Sequence, residues 1–292
     1  LSPPLTTMLW IRIASGLVAI ALALLMTFLG GWYFCLGIGA LIYLGQLEYF
    51  ELARAKGSAP AAKTTLVVSQ VLLITSLLRP DLADAVFPVA GTFICFYLLF
   101  QPKLASIADI STSIMGLFYG GYLPSYWVRL RGLEQQATLP LGGFWPEQFQ
   151  LTALPLGLQV TLLAFVCIWA ADIGAYAVGK LFGRTRLSHI SPKKTVEGAV
   201  FGVLGSLGVA LWGAHSLGWP LPWLLGAMFG LMIGIASLLG DLTESMMKRD
   251  AGVKDSGQLI PGHGGILDRA DSYVFTAPLV FYFVTLLLPL CQ

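Results

Sequence analysis

Apolar runs of about 20 residues, each long enough to cross the hydrocarbon of a bilayer as a helix, recur along almost the whole chain. Only 11% of the residues are charged, 57% are hydrophobic and the mean hydropathy is +0.79. Soluble domains carry about 25% charged residues. The expectation is therefore an all-α, polytopic membrane protein. No long soluble stretch exists to make a separate water-soluble domain. The net charge of +2 gives no argument for a nucleic-acid partner. Cys35, Cys95, Cys167 and Cys291 lie scattered in apolar runs without CxxC spacing, which favours neither disulfides nor a zinc site.

Nine spans are expected: residues 11–29, 32–52, 64–78, 82–100, 104–128, 151–178 and 196–215, one starting near Trp223, and one ending near Leu290. The first resembles a signal sequence, but it is long, leads straight into the second and lacks a clear small-residue cleavage site, so it reads as a helix. Turns are expected at Gly30-Gly31, Arg79-Pro80-Asp81 and Gln101-Pro102-Lys103, with Pro88 inside a helix. With the N-terminus in the cytoplasm, the inner side receives 14 of the 17 Lys and Arg residues, and only Arg79, Arg129 and Arg131 fall outside. That is a strong positive-inside bias.

One stretch breaks the pattern. Residues 241–271 hold six acids (Asp241, Glu244, Asp250, Asp255, Asp268, Asp271) and four bases (Lys248, Arg249, Lys254, Arg269) between two apolar runs. A charge at the bilayer centre costs roughly 2.5–3.5 kcal/mol on insertion scales. The stretch must therefore face water or a polar cavity at a membrane face, and the chemistry is expected there. Asp241, Glu244, Ser245 and Lys248 share one helical face by their spacing. Asp268 and Asp271 open the last span, so two helix ends can bring Asp241 and Asp268 together. Carboxylate pairs with few imidazoles suit a hard cation such as magnesium; a salt-bridged helix end is the alternative. The glycine-rich loop 257–265 can bring backbone N–H groups close to a phosphate, and the last span offers its N-terminus to an anion. An ordinary flexible turn reads the same way. His263 is expected to be a loop hydrogen-bonder rather than a metal ligand.

A second basic site precedes it: Lys180, Arg184 and Arg186, then Ser191-Pro192-Lys193-Lys194-Thr195-Val196-Glu197-Gly198. It suits phosphate binding or simple membrane anchoring. Ser191-Pro192 is expected to start a helix whose first turn carries Lys193 and Lys194, a placement that an anionic ligand would explain. Asp172, Tyr176 and Lys180, four apart, point towards this loop. There is no GxxxxGK[ST], GxGxxG after a strand, or GxSxG motif. These residues together suggest a cytoplasm-facing, metal-dependent site joining a lipid and a water-soluble phosphate compound.

Ser245-Met-Met-Lys248-Arg249, four residues, Lys254-Asp255, then Pro261-Gly-His263-Gly264-Gly265-Ile-Leu-Asp268-Arg269-Ala-Asp271 resembles the signature of the CDP-diacylglycerol synthases, or phosphatidate cytidylyltransferases. Ala270 departs from it, standing where the family usually has a larger apolar residue or Thr. The segments from Ser191 to Gly198 and from Asp172 to Tyr176 also resemble family motifs. The likeness is strong over residues 172–271 and only architectural over the first 150. It implies that CTP and phosphatidate give CDP-diacylglycerol and pyrophosphate, in phospholipid biosynthesis. It implies magnesium on Asp241, Asp268 and Asp271, with a second cation such as K+ beside it. Lys248 and Arg249 are then catalytic. Ser191, Lys193, Lys194, Glu197, Ser245, Lys254, Asp255, His263, Gly264, Gly265, Arg269, Asp172 and Tyr176 are substrate-binding. Residues 1–150 are expected to be a scaffold and dimer interface, and 151–292 the catalytic region, of a homodimer in a bacterial-type inner membrane. Two other functions fit less of the pattern: a CTP-dependent polyprenol or phytol kinase, and an ion-coupled transporter using Asp109, Asp172 and Asp241.

Overall fold

Helices make up every long element of the chain, as the apolar runs predict. A computed structural model describes residues 5–147, 150–257 and 264–291, with side chains from residue 18 onward. In order these are α1 (Leu5–Leu29), α2 (Gly31–Ala55), α3 (Ala62–Leu78), α4 (Pro80–Leu99), α5 (Ile107–Leu117), α6 (Leu123–Arg131), α7 (Leu156–Phe182), α8 (Val196–Ser216), α9 (Pro222–Asp250), α10 (Leu267–Tyr282) and α11 (Leu288–Leu290). Single π-helical turns, Phe118–Tyr122 and Phe283–Leu287, join α5 to α6 and α10 to α11. Among the described residues there is no strand; isolated bridges join Leu139 to Gly143 and Arg186 to Thr195.

Among the described residues, six helices are long and apolar enough to cross a membrane: Gly31–Ala55, Pro80–Leu99, Leu156–Phe182, Val196–Ser216, Pro222–Asp250 and Leu267–Leu290. Val18–Leu29 and Ala62–Leu78 are shorter apolar helices. The segment expected as a fifth span is helical without a break over residues 107–131, as α5, a π turn and α6. Its start is polar: Ser106 and Asp109 form a capping box, and Asp109 also accepts a hydrogen bond from the backbone of Ala59.

The turns fall where glycine and proline put them. Gly30 takes a φ of 64° between α1 and α2, a value open to glycine at little cost. Pro80 starts α4 directly after Arg79, and Pro88 lies inside it. Arg131, fully buried, donates to the carbonyls of Thr27 and Phe28 at 2.5 and 2.7 Å. It satisfies carbonyls that the end of α1 leaves open and ties α6 to α1.

The core lies among α2, α6, α7, α8, α9 and α10, where Phe34, Tyr126, Trp127, Phe165, Phe229 and Phe281 pack together. α10 packs against α2, α6 and α9, and α8 packs between α7 and α9. This arrangement gathers the C-terminal ends of α2, α7 and α9 and the N-terminal ends of α8 and α10 at one end of the bundle.

Candidate active site

A cleft of about 620 Å³ opens at that end, between α7, the loop 183–195, α8, α9 and α10. Of the residues the sequence points to, Asp172, Tyr176, Ser191, Lys193, Lys194, Asp241, Asp268, Arg269 and Asp271 line it. Lys180 lines it too, and its ammonium reaches the Tyr176 hydroxyl at 3.4 Å. The i, i+4, i+8 spacing therefore brings one face of α7 to the basic loop, as expected. Two polar stretches nearly 70 residues apart meet here because α8 lies between α7 and α9.

Acids crowd the cleft floor. Carboxylate oxygens of Asp241, Glu244 and Asp271 all lie within 4.8 Å of one another. Gly240 explains the approach: a Cβ there would lie 2.5 Å from the backbone oxygen of Asp271, so only glycine lets α9 and α10 close at this level. Glu244 is fully buried, and neither of its oxygens accepts a well-formed hydrogen bond. Its neighbouring cation is the Lys248 ammonium, 2.5 Å away. Lys194 from the basic loop pairs with Asp241, and Ser245 donates to Asp241 at 3.4 Å. Lys194 and Lys248 pair with acids of this set, and Lys180, Lys193 and Arg269 also line the cleft. Asp241, Glu244 and Asp271 offer only oxygen donors, and two of the three are buried; such a set suits a hard divalent cation, so the residues fit magnesium.

The acid set differs from the expected one. Glu244 joins Asp241 and Asp271, while Asp268 stands apart from that group of three. Its Oδ1 accepts from Lys248 at 2.5 Å, and its Oδ2 accepts from the backbone of Ser256 and Gly265 at 3.0 and 2.8 Å. Asp268 therefore closes the glycine-rich loop onto α10 while still lining the cleft.

The N-terminus of α10 also departs from expectation. The backbone N–H groups of Ile266 and Leu267 donate to Glu48 of α2, each at 2.9 Å. A protein carboxylate already occupies the donors expected to meet a phosphate, so Gly264 and Gly265 shape the loop instead. Glu48 is 2% exposed and also accepts from the Ser256 hydroxyl at 2.9 Å.

In the basic loop, Lys193 and Lys194 do not form the first turn of a helix. α8 starts at Val196, with Thr195 as its cap accepting from Gly198 at 3.1 Å. The Ser191 carbonyl accepts from Lys194 in a turn that the helix does not continue. The first helical turn carries Glu197 instead, in line with the helix dipole. Glu197 is absent from the cleft lining; it accepts from the backbone of Arg184 and Thr185 and holds the loop closed. Arg249 lies outside the cleft and donates to the carbonyls of Ile190 and Val253, docking this loop on the end of α9. Lys254 and Asp255 are exposed beyond the cleft, and Ser245 lies beneath it. His263 lies outside the described residues, as do Gln258, Leu259, Ile260, Pro261 and Gly262.

Sequence reasoning passed over Glu48 and Ser256, and gave Glu244 a place on the right face but no role. Glu48 did carry a signal, since an ionisable residue inside an apolar span is a functional candidate. Its partner could not be read, because 208 residues separate it from Ser256.

Known proteins share this sequence over nearly its whole length. A phosphatidate cytidylyltransferase of Synechocystis is 66% identical over 288 residues, covering 95% of this chain and 97% of that protein. The chloroplastic phosphatidate cytidylyltransferase 4 of Arabidopsis thaliana is 42% identical over 265 residues, covering 87% and 68%. A phosphatidate cytidylyltransferase of Pseudomonas aeruginosa is 36% identical over 270 residues, covering 91% and 93%. The sequence pattern of the Cytidylyltransferase family matches residues 10–287, and the chain belongs to that family.

Proposed function

We propose that this protein makes CDP-diacylglycerol and pyrophosphate from CTP and phosphatidate. The observation that carries the reading is the meeting of the acid floor and the basic loop in one cleft, in a chain of this family. An oxygen of the lipid phosphate forms a bond to the α-phosphorus of CTP. The bond from that phosphorus to the bridging oxygen breaks, and pyrophosphate leaves. Such a transfer depends on positioning and charge neutralisation more than on covalent help. A phosphate monoester is already ionised near neutral pH, so no general base is required.

Lys193, Lys194 and Arg269, around the cleft, hold phosphate oxygens. Asp241, Glu244 and Asp271 would hold magnesium, with Asp268 completing the acid set from the first turn of α10 and a second cation such as K+ beside it. Bound there, magnesium supplies neutralisation of triphosphate charge. Lys248 keeps Asp268 and Glu244 from repelling one another, and Arg249 keeps the basic loop over the cleft. Residues 1–150 serve as scaffold and 151–292 carry the catalytic cleft, in a homodimer.

The chain crosses the membrane nine times, its N-terminus and cleft in the cytoplasm of a bacterial-type cell. The charge bias supports this, and so do contacts between residues near helix ends assigned to one side. Lys56 pairs with Asp250, Ala59 with Asp109 and Arg249 with Ile190 at the inner face. Arg131 meets Thr27, Arg129 meets Asp84 and Tyr126 meets Tyr282 at the outer one.

The test is an assay of the protein in detergent with phosphatidate and labelled CTP. Magnesium-dependent CDP-lipid and pyrophosphate are expected, lost on chelation and restored by added magnesium. CDP release with phosphorylation of a polyprenol would move the protein to a lipid kinase. Turnover unaffected by chelation would remove the metal.

A further inference from the structure

Glu48 is a buried carboxylate in a helix that contributes nothing to the cleft lining. It nevertheless binds both sides of the glycine-rich loop: Ser256 before it, and Ile266 and Leu267 after it. The first N–H groups of a helix have no partner within that helix, and a carboxylate there also opposes the positive end of the helix dipole. The fit is close on every side. A Cβ at Gly257 or Gly265 would lie within 3 Å of the Glu48 carboxylate, a distance real side chains do not adopt. Both glycines therefore make room for this acid.

The contact leads on to the site. The Ser256 backbone N–H already serves Asp268 Oδ2, as does that of Gly265. The Ser256 hydroxyl stands between the two acids, 2.9 Å from Glu48 Oε2 and 3.0 Å from Asp268 Oδ2. Asp268 in turn meets Lys248, and Lys248 meets Glu244 of the acid cluster. We propose that Glu48 is a positioning residue for the transfer reaction: from the N-terminal half of the chain it clamps Ser256 and the first turn of α10, and so sets the aim of Asp268 and Lys248. This rests on the reaction proposed above.

The test uses the full chain in detergent and compares wild type with Glu48→Gln, Glu48→Ala and Ser256→Ala. Three quantities are measured: kcat and KM for both substrates, thermal unfolding, and hydrogen exchange in peptides that include Ile266 and Leu267. Glutamine keeps the volume but loses one acceptor oxygen. It is expected to lower kcat by about tenfold to a hundredfold, as loss of a residue that orients a reactive group does, with KM and the unfolding temperature little changed. Exchange of the first-turn amides is expected to rise while the rest of α10 stays protected. Glu48→Ala is expected to act in the same direction and more strongly, and Ser256→Ala more weakly. Wild-type kcat in Glu48→Gln would overturn the proposal, as would a loss of activity that follows unfolding with first-turn exchange unchanged. A wild-type protein that makes no CDP-lipid would instead remove the reaction, and the exchange comparison would still decide the clamp.

Discussion

Lys248 stands between two acids, 2.5 Å from Glu244 and from Asp268. That one contact shows why the acids of this cleft are not interchangeable. Asp241 is a cluster acid held by Ser245 and Lys194, whereas Asp268 is also a loop anchor. Asp241→Asn is expected to leave the fold intact and to lower kcat by about a hundredfold or more, since several kcal/mol of charge stabilisation depend on such a group. Asp268→Asn is expected to abolish turnover in the same assay without unfolding the bundle. Normal activity in either variant would remove that residue from the site. Asp250 offers the contrast. It pairs with Lys56 at 3.1 Å on the surface, away from the cleft, where such a pair contributes roughly 0–1 kcal/mol. Asp250→Asn is expected to keep near wild-type rates. The spacing of Asp241, Glu244, Ser245 and Lys248 was legible in the sequence because one helix carries all four. The division of labour between Asp268 and Glu244 was not, because it depends on which acid the backbone of Ser256 and Gly265 reaches.

Helix ends shape the cleft, and two of them can be tested. Gly240 sets the distance between α9 and α10, so Gly240→Val is expected to push Asp241 from Asp271. Overpacking of this kind costs about 1–3 kcal/mol, read as a lower unfolding temperature together with a loss of kcat. Retained kcat in a destabilised protein would show that the cluster tolerates the shift. Thr195 caps α8 and closes the basic loop. Thr195→Ala is expected to cost about 1 kcal/mol of stability and to raise KM for CTP through the loosened Lys193 and Lys194. An unchanged KM would detach this loop from nucleotide binding. The apolar runs place the helices well, but Ser191-Pro192 looks like a helix start and Thr195 is the real one. Both fit local rules, and the bonds to Glu197 decide between them.

Across the whole molecule, the site is assembled from both halves of the chain. The likeness to the family, expected to be only architectural over the first 150 residues, in fact runs through the N-terminal helices, since the family match covers residues 10–287, and α2 supplies the buried Glu48 under the glycine-rich loop. The proposed sidedness has a direct check. In a background without the four native cysteines, single cysteines at positions 103 and 254 are expected to react with an impermeant thiol reagent from the cytoplasmic face, and one at position 79 from the opposite face. Labelling of all three from one side would overturn the nine-crossing arrangement.

The sequence by itself determined the all-helical class, the polar island and the cytidylyltransferase family, because apolar run length, charge placement and signature spacing are local quantities. Tertiary structure alone decided that Glu244 joins Asp241 and Asp271, that Glu197 and Arg249 hold a loop rather than line the cleft, and that Glu48 takes the N-terminus of α10. Those outcomes depend on which buried donors and acceptors meet when distant helices pack, and burial leaves no polar group on either side indifferent to its partner.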